Sequence, residues 1–340
     1  MQIKNINLHN LIINNLKMII IYLTIIFFIT LFLCFKSKFI GEALGVIDKP
    51  GKNKIHYFKI PLMGGPIIYS IILPVFLIVI FFYNEKIELN KILYISLLFL
   101  IGFGDDKFNF KAINKIFLVS TISTIFFFFD TNFVVEKIYF KFLDSEFYFG
   151  RSKYIITIIC VILFFISKNM ADGINGLIIT HSLISILLFC FFFNSFNLDF
   201  INLTLVLILI VILFFNLKNQ IFLGDSGTSL LAGYFIYGLF YENYLYKTDV
   251  FSIISPFLIM GIDMVRLFFL RISSGKHPFD KDNNHFHHIL LRNFRNIKSI
   301  IIYNFISFLP LILSQMFHIN ILSLIGISMF IYIYIIKFYD

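Results

Sequence analysis

The sequence predicts an all-α, polytopic membrane protein, and three observations carry that expectation. Hydrophobic residues fill 59% of 340 positions and charged residues 14%, and mean hydropathy is +0.90, outside the mix of soluble domains. Apolar runs near the ~20 residues needed to cross a bilayer recur from end to end. Polar stretches stay below roughly 30 residues, too short for a second core, so residues 1–340 read as one membrane domain.

Eleven transmembrane helices are expected, at 18–36, 64–83, 89–104, 112–130, 154–171, 174–193, 200–216, 228–246, 251–270, 298–317 and 320–337. Phe, Ile and Leu fill them in blocks without helical periodicity, as suits helices facing lipid or one another. The first run has no small-residue cleavage site after it, so it reads as a retained helix and not a signal peptide. Cys34, Cys160 and Cys190 lie inside apolar runs without disulfide or metal spacing and read as small core residues.

Lys and Arg set the expected orientation. The loop after the first span and every second loop after it hold 18 basic residues against 9 on the opposite side. That excess places the first set, and the C-terminus, in the cytoplasm and the N-terminus outside. The external segment 131–153 carries four basic residues and weakens the asymmetry without reversing it. The net charge of +9 sits in these short loops, so it reads as topogenic and not as a nucleic-acid surface.

Five polar clusters fall on the side assigned to the cytoplasm: DKPGKNKIHYFKIPLMGG (48–65), DDKFNFKAINK (105–115), NMADGING (169–176), FLGDSGTS (222–229) and HPFDKDNNHFHH (277–288). They are expected to form one site at that face. Asp105 and Asp106 close a short span and should lie near headgroup depth, where ionisable groups usually line a functional cavity. Asp172 and Asp225 add two carboxylates beside glycines, and Asn169 and Asn175 add two carboxamides. Hard oxygens of this kind suit Mg²⁺ or Mn²⁺ better than Zn²⁺. His285, His287 and His288, with Lys54, His56 and Lys115, supply cations and hydrogen-bond donors for phosphate. A metal-and-phosphate site at a membrane face is equipment for phosphoryl transfer between a soluble nucleotide and a lipid phosphate.

In order and spacing, these five motifs resemble the polyprenyl-phosphate N-acetylhexosamine-1-phosphate transferase family over residues 48–291. HPFDKDNNHFHH is similar to the loop of the branch handling UDP-GlcNAc-type donors; the muramoyl-pentapeptide branch has three consecutive histidines there. The resemblance implies transfer of a sugar 1-phosphate from a UDP-N-acetylhexosamine to undecaprenyl phosphate, with release of UMP, at the start of a cell-envelope polysaccharide such as O-antigen. It implies Asp225 and Asn169 as Mg²⁺ ligands, and Asp105 and Asp106 as residues that orient or deprotonate the lipid phosphate. Asp172 and Asn175 would serve the nucleotide, Lys115 the pyrophosphate, and His285, His287 and His288 the diphosphate or sugar. Asp263 resembles the family's acid in its helix, with an ion pair to Arg266 as the alternative role. The chain departs from the family at Asn175, where many relatives carry Asp, and at Asn53, where Arg is common.

Two rival readings stand beside this one. A phospho-MurNAc-pentapeptide transferase would share the site but not the donor. A transporter would hold its polar groups near the midplane, where only Lys168, Asp263 and Arg266 are expected. The exposed Phe-rich helices are a candidate homodimer surface.

Overall fold

The structure is a computed structural model that describes residues 2–50, 58–83, 86–280 and 282–339, with side chains of the first helix described from Lys17 onward. Lys54 and His56, and with them Asn53, lie outside the described residues.

Every expected span coincides with a helix. In chain order these are α1 (Gln2–Leu44), α2 (Gly64–Tyr83), α3 (Lys86–Phe108), α4 (Ala112–Phe129), α5 (Lys153–Met170), α6 (Leu177–Phe192), α7 (Phe200–Leu217) and α8 (Gly224–Leu245). They continue with α9 (Val250–Ile254), α10 (Leu258–Ser273), α11 (Phe286–Asn293), α12 (Asn296–Phe317) and α13 (Ile321–Tyr339). Eight segments among the described residues are long and apolar enough to cross a membrane: 17–44, 64–82, 112–129, 150–170, 200–217, 250–273, 296–317 and 321–339. Helices α3, α6 and α8 complete the expected set, and each differs for a physical reason. Helix α3 carries charge at both ends, through Glu88 and Lys107. Helix α6 has only 16 residues.

Helix α8 is the centre of the fold. It is buried at almost every position from Gly224 to Leu239, so it need not be apolar enough to face lipid, and it carries Ser226, Thr228, Ser229 and three glycines in its first half. Small residues let helix backbones approach closely, which is how helices associate where lipid competes for apolar contact. Helices α2, α3 and α5 pack along it.

Two expected spans change shape. Helix α1 runs on to Leu44, where Gly45 at φ 76° takes the left-handed conformation that ends it. The span expected at 251–270 is broken by a 3₁₀ turn, Ser255–Phe257, around Pro256, which cannot donate a backbone hydrogen bond. The carbonyl of Pro256 faces Nε2 of buried His181 at 2.9 Å.

The loops are more ordered than their composition suggests. Strands β1 (Ile47–Asp48) and β2 (Ile60–Pro61) pair antiparallel, as do β3 (Lys137–Phe140) and β4 (Ser145–Tyr148). The second hairpin holds two of the four basic residues of segment 131–153 against carboxylates, Lys137 on Glu146 at 2.8 Å and Lys153 on Glu136.

Candidate active site

The site forms where α2, α3 and α8 meet at their polar ends, and glycines make that meeting possible. A Cβ on Gly102 of α3 would stand 2.2 Å from the carbonyl oxygen of Asp225, and one on Gly65 of α2 would stand 2.3 Å from the backbone nitrogen of Gly227. The backbones therefore touch without a side-chain layer between them. Gly65 also donates its N–H to Leu223 O at 3.0 Å, and Gly64 donates to Phe222 O at 2.9 Å. Gly224 enters α8 at φ 75°, a left-handed conformation favouring glycine.

Asp106 completes the junction. Its carboxylate accepts the N–H of Asp225 at 2.8 Å and of Ser226 at 2.9 Å, so the side chain of one helix caps the N-terminus of another. An anion there meets unpaired donors and the positive end of the helix dipole. Its neighbour Asp105 turns elsewhere, accepting from Lys115 Nζ at 2.5 Å and from the N–H of Phe110 at 2.6 Å. Lys115 also lies 3.7 Å from Asp225. The paired aspartates thus have different partners, which is how two adjacent acids persist.

One lysine does not balance three acids. Burial raises the carboxyl of Asp106 to about 6 despite its backbone donors. Burial also drives Asp225 upward, reinforced by its contact with Asp105. Asp105 is held low: burial opposes this, but the contact with Asp225 and the Lys115 ammonium win. The Asp225 side chain nonetheless keeps 39% of its surface accessible.

The second loop joins through a hydroxyl. Thr228, one turn into α8, donates to Asn169 Oδ1 at the end of α5 and to Asp225 O at 3.1 Å. Asp172 is exposed, yet the surrounding protein and the charge of Asp106 push its carboxyl up to about 7. Asn175 is directed away, bonded through Nδ2 to Asn219 Oδ1, while the N–H of Gly176 donates to Asn216 Oδ1 at 2.6 Å. These bonds tie the NMADGING loop to the end of α7.

The histidine loop closes the other side. A Cβ on Gly173 would come within 1.9 Å of His287 Nε2 and 2.9 Å of His288 Nε2, so both rings stand against the loop that carries Asp172. Nε2 of His287 is buried without a hydrogen-bond partner. Burial first, then the neighbouring imidazoles and, for His288, Arg292, lower both rings, His287 well below the usual range and His288 to about 4. His285 faces inward instead, with Nδ1 3.0 Å from Asp263 Oδ2 and Nε2 3.4 Å from Arg271. Asp263 pairs with Arg266 at 2.8 Å.

Of the residues singled out in the sequence, Asp105, Asp106, Asp225 and Lys115 make one contact cluster, with Asn169 joined by Thr228 and Asp172 coupled electrostatically. His287 and His288 face the loop of Asp172, whereas His285 and Asn175 hold other parts of the protein. Sequence reasoning missed Thr228, whose only signal is a hydroxyl one turn after Asp225. Lys168, counted among the basic loop residues but also expected to lie deeper than the polar clusters, is 1% accessible, with its ammonium 3.1 Å from Ser182 Oγ and over the ring of Phe235.

Among the described residues no three His, Cys, Asp or Glu side chains converge as a ready-made metal site. The unbalanced negative charge, the accessible carboxylate of Asp225 and the neutral oxygen of Asn169 do fit Mg²⁺, which binds through one or two carboxylates and takes its remaining ligands from water and substrate phosphates. They fit Zn²⁺ less well, since the cluster of Asp105, Asp225 and Asn169 offers neither of its usual nitrogen and sulfur ligands.

Fold and site together define a polytopic membrane protein with an acidic cluster and one lysine at one end of its helices. Residues 89–242 match glycosyl transferase family 4, and that segment contains every cluster residue from Asp105 to Thr228. The chain is 27% identical over 291 residues to an undecaprenyl-phosphate alpha-N-acetylglucosaminyl 1-phosphate transferase of Escherichia coli O157:H7, covering 79% of this chain and 75% of the relative. It is 25% identical over 262 residues to a probable undecaprenyl-phosphate N-acetylglucosaminyl 1-phosphate transferase of Bacillus subtilis (strain 168), covering 75% and 72%. The resemblance drawn from motif order is met by these matches.

Proposed function

We propose that this protein transfers an N-acetylhexosamine 1-phosphate from a UDP-sugar to undecaprenyl phosphate in the bacterial inner membrane, releasing UMP. The observation that carries the reading is the convergence of Asp105, Asp106, Asp225 and Lys115, with Asn169 joined through Thr228, in one cluster at the ends of membrane helices. The printed names of the relatives support the lipid acceptor and the sugar 1-phosphate.

The residues divide the work. Lys115, already beside two carboxylates, is placed to meet a phosphate oxygen, and Asp225 and Asn169 would hold Mg²⁺. A bound Mg²⁺ would neutralise phosphate oxygens while the transfer proceeds. An oxygen of the lipid phosphate attacks the sugar-proximal phosphorus in line. The bond from that phosphorus to the bridging oxygen breaks, and UMP leaves with that oxygen. Asp105 and Asp106 act by holding Lys115 and the first turn of α8 in register. Every carboxylate oxygen of this pair already has a partner, which favours direct attack over a covalent aspartyl intermediate. His287 and His288 are neutral donors or acceptors at the edge where the sugar diphosphate would lie. The cluster is assigned to the cytoplasmic face, where UDP-sugars are made, consistent with the Lys and Arg asymmetry.

The test is direct. Purified protein with Mg²⁺, undecaprenyl phosphate and radiolabelled UDP-GlcNAc is expected to give lipid-linked label and UMP in equal amounts. EDTA should stop the reaction, and Asp225→Asn should lower turnover by at least ~10²-fold, the scale of losing a principal electrostatic contact. Turnover of UDP-MurNAc-pentapeptide alone would transfer the assignment to the peptidoglycan branch. Ion flux in liposomes without UMP release would defeat it.

A further inference from the structure

The last helix, outside both the motif stretch and the segment that matches the family, reaches the histidine loop through one ion pair. Arg266 lies within the span 250–273. Its guanidinium donates to Asp263 Oδ1 at 2.8 Å, to Tyr332 Oη of α13 at 3.0 Å and to the carbonyl of Asn284 at 2.6 Å. Tyr332 in turn donates to Asp263 Oδ1 at 2.9 Å. The other oxygen of Asp263 accepts the N–H of Phe286 at 3.1 Å and faces His285. Phe286 is wholly buried, its ring 4.9 Å from that of Tyr332. Three consecutive residues, Asn284, His285 and Phe286, are therefore held by one Asp–Arg–Tyr group, its acid and tyrosine buried, at the start of the helix that presents His287 and His288 to Gly173.

We infer that Arg266 and Tyr332 are positioning residues: with Asp263 they fix the start of α11, and so set where His287 and His288 stand for the donor's sugar-phosphate part. The inference rests on the sugar-phosphate transfer proposed above. An arginine in a membrane-spanning segment is costly unless its donors are filled, and here the ones that matter end on an acid, a hydroxyl and the loop carbonyl. A planar guanidinium makes those contacts simultaneously, which a lysine ammonium does with less geometric control. Losing the anchor should loosen donor binding while leaving the carboxylate cluster on α3 and α8 intact, since no anchor residue contacts that cluster among the described residues.

Three full-length variants test this: Arg266→Ala, Arg266→Lys and Tyr332→Phe, the last removing one hydroxyl and keeping the ring on Phe286. Amide exchange, measured on peptides covering 284–290 in detergent, is expected to quicken about 10-fold or more in Arg266→Ala and Tyr332→Phe, because the Phe286 N–H loses a fixed acceptor. KM for UDP-GlcNAc is expected to rise roughly 3- to 10-fold with kcat within about 2-fold, and Arg266→Lys should fall between wild type and Arg266→Ala. Unchanged exchange in both variants, or a loss of kcat at constant KM, would overturn the inference. If wild type turns over no UDP-N-acetylhexosamine, the functional proposal fails, while the exchange measurement still decides whether the anchor exists.

Discussion

Asp106 caps a helix from 119 positions away in the chain, accepting the N–H of Asp225 at 2.8 Å. The bond makes the paired-aspartate motif and the FLGDSGTS motif a single structural unit. Removing it separates two kinds of contribution. Asp106→Ala leaves the first-turn donors of α8 unpaired and should lower stability by about 2–3 kcal/mol. Asp106→Asn keeps one acceptor and should cost less. Thermal unfolding in detergent gives the order, and equal losses in the two variants would show that the cap is not the source.

The glycine contacts predict a sharp contrast between two substitutions. Gly65→Ala places a methyl 2.3 Å from the backbone nitrogen of Gly227, where no side chain can give way, so a loss of about 3 kcal/mol or failure to fold is expected. Gly261→Ala meets nothing within 4 Å and should be neutral or gain up to about 1 kcal/mol from helix propensity. Unfolding temperatures of the pair measured side by side are sufficient.

Gly173→Ala should act on catalysis more than on stability. Its methyl would overlap His287 Nε2 and crowd His288, and displacing those rings moves α11 away from the loop of Asp172. A fall in kcat/KM of about 10²-fold is expected, the scale of a 1 Å misplacement. Wild-type kinetics in this variant would mean that the histidines do not serve the substrate.

The histidine helix should also be acid-sensitive. Burial first, then His285 and Arg292, depress His288 to about 4 from the ordinary 6.5, while Asp282 and Asp263 pull the other way. The native ring therefore binds fewer protons than the unfolded one between those values. Its contribution to stability is complete above about 6.5 and is lost as pH falls through about 4. The carboxylates of Asp106 and Asp172, raised to about 6 and about 7, titrate with the opposite sign, so the quantity to measure is the difference between wild type and His288→Asn. That difference should shrink steadily from pH 7 to pH 4. A difference independent of pH would remove the effect.

Much of the architecture was legible because membrane helices are written as composition. All eleven expected spans have helices, since each backbone polar group in lipid must be satisfied within its own segment. The gathering of Asp105, Asp225 and Lys115 was legible as a set of residue types on one face. What each acid does was not. Asp105 and Asp106 are adjacent in sequence and bond to different groups, and nothing local distinguishes the one bound to Lys115 from the one capping α8. The break at Pro256 could be read from the residue itself, but not that His181 would meet its carbonyl. Tyr332 carried no signal at all, because an aromatic in an apolar run looks like core until Arg266 is seen beside it.

The close backbone contacts of Gly65 with Gly227 and of Gly102 with Asp225 have a consequence for how such a protein can diversify. Three helices welded at their tips leave the carboxylate floor almost no room to drift, since any side chain added there pushes main chain against main chain. The wall formed by the histidine loop and α11 is tied to α10 through the side chains of Asp263, Arg266 and Arg271, and side chains can be exchanged one at a time. New sugar preferences would therefore arise on the wall while the floor stays as it is.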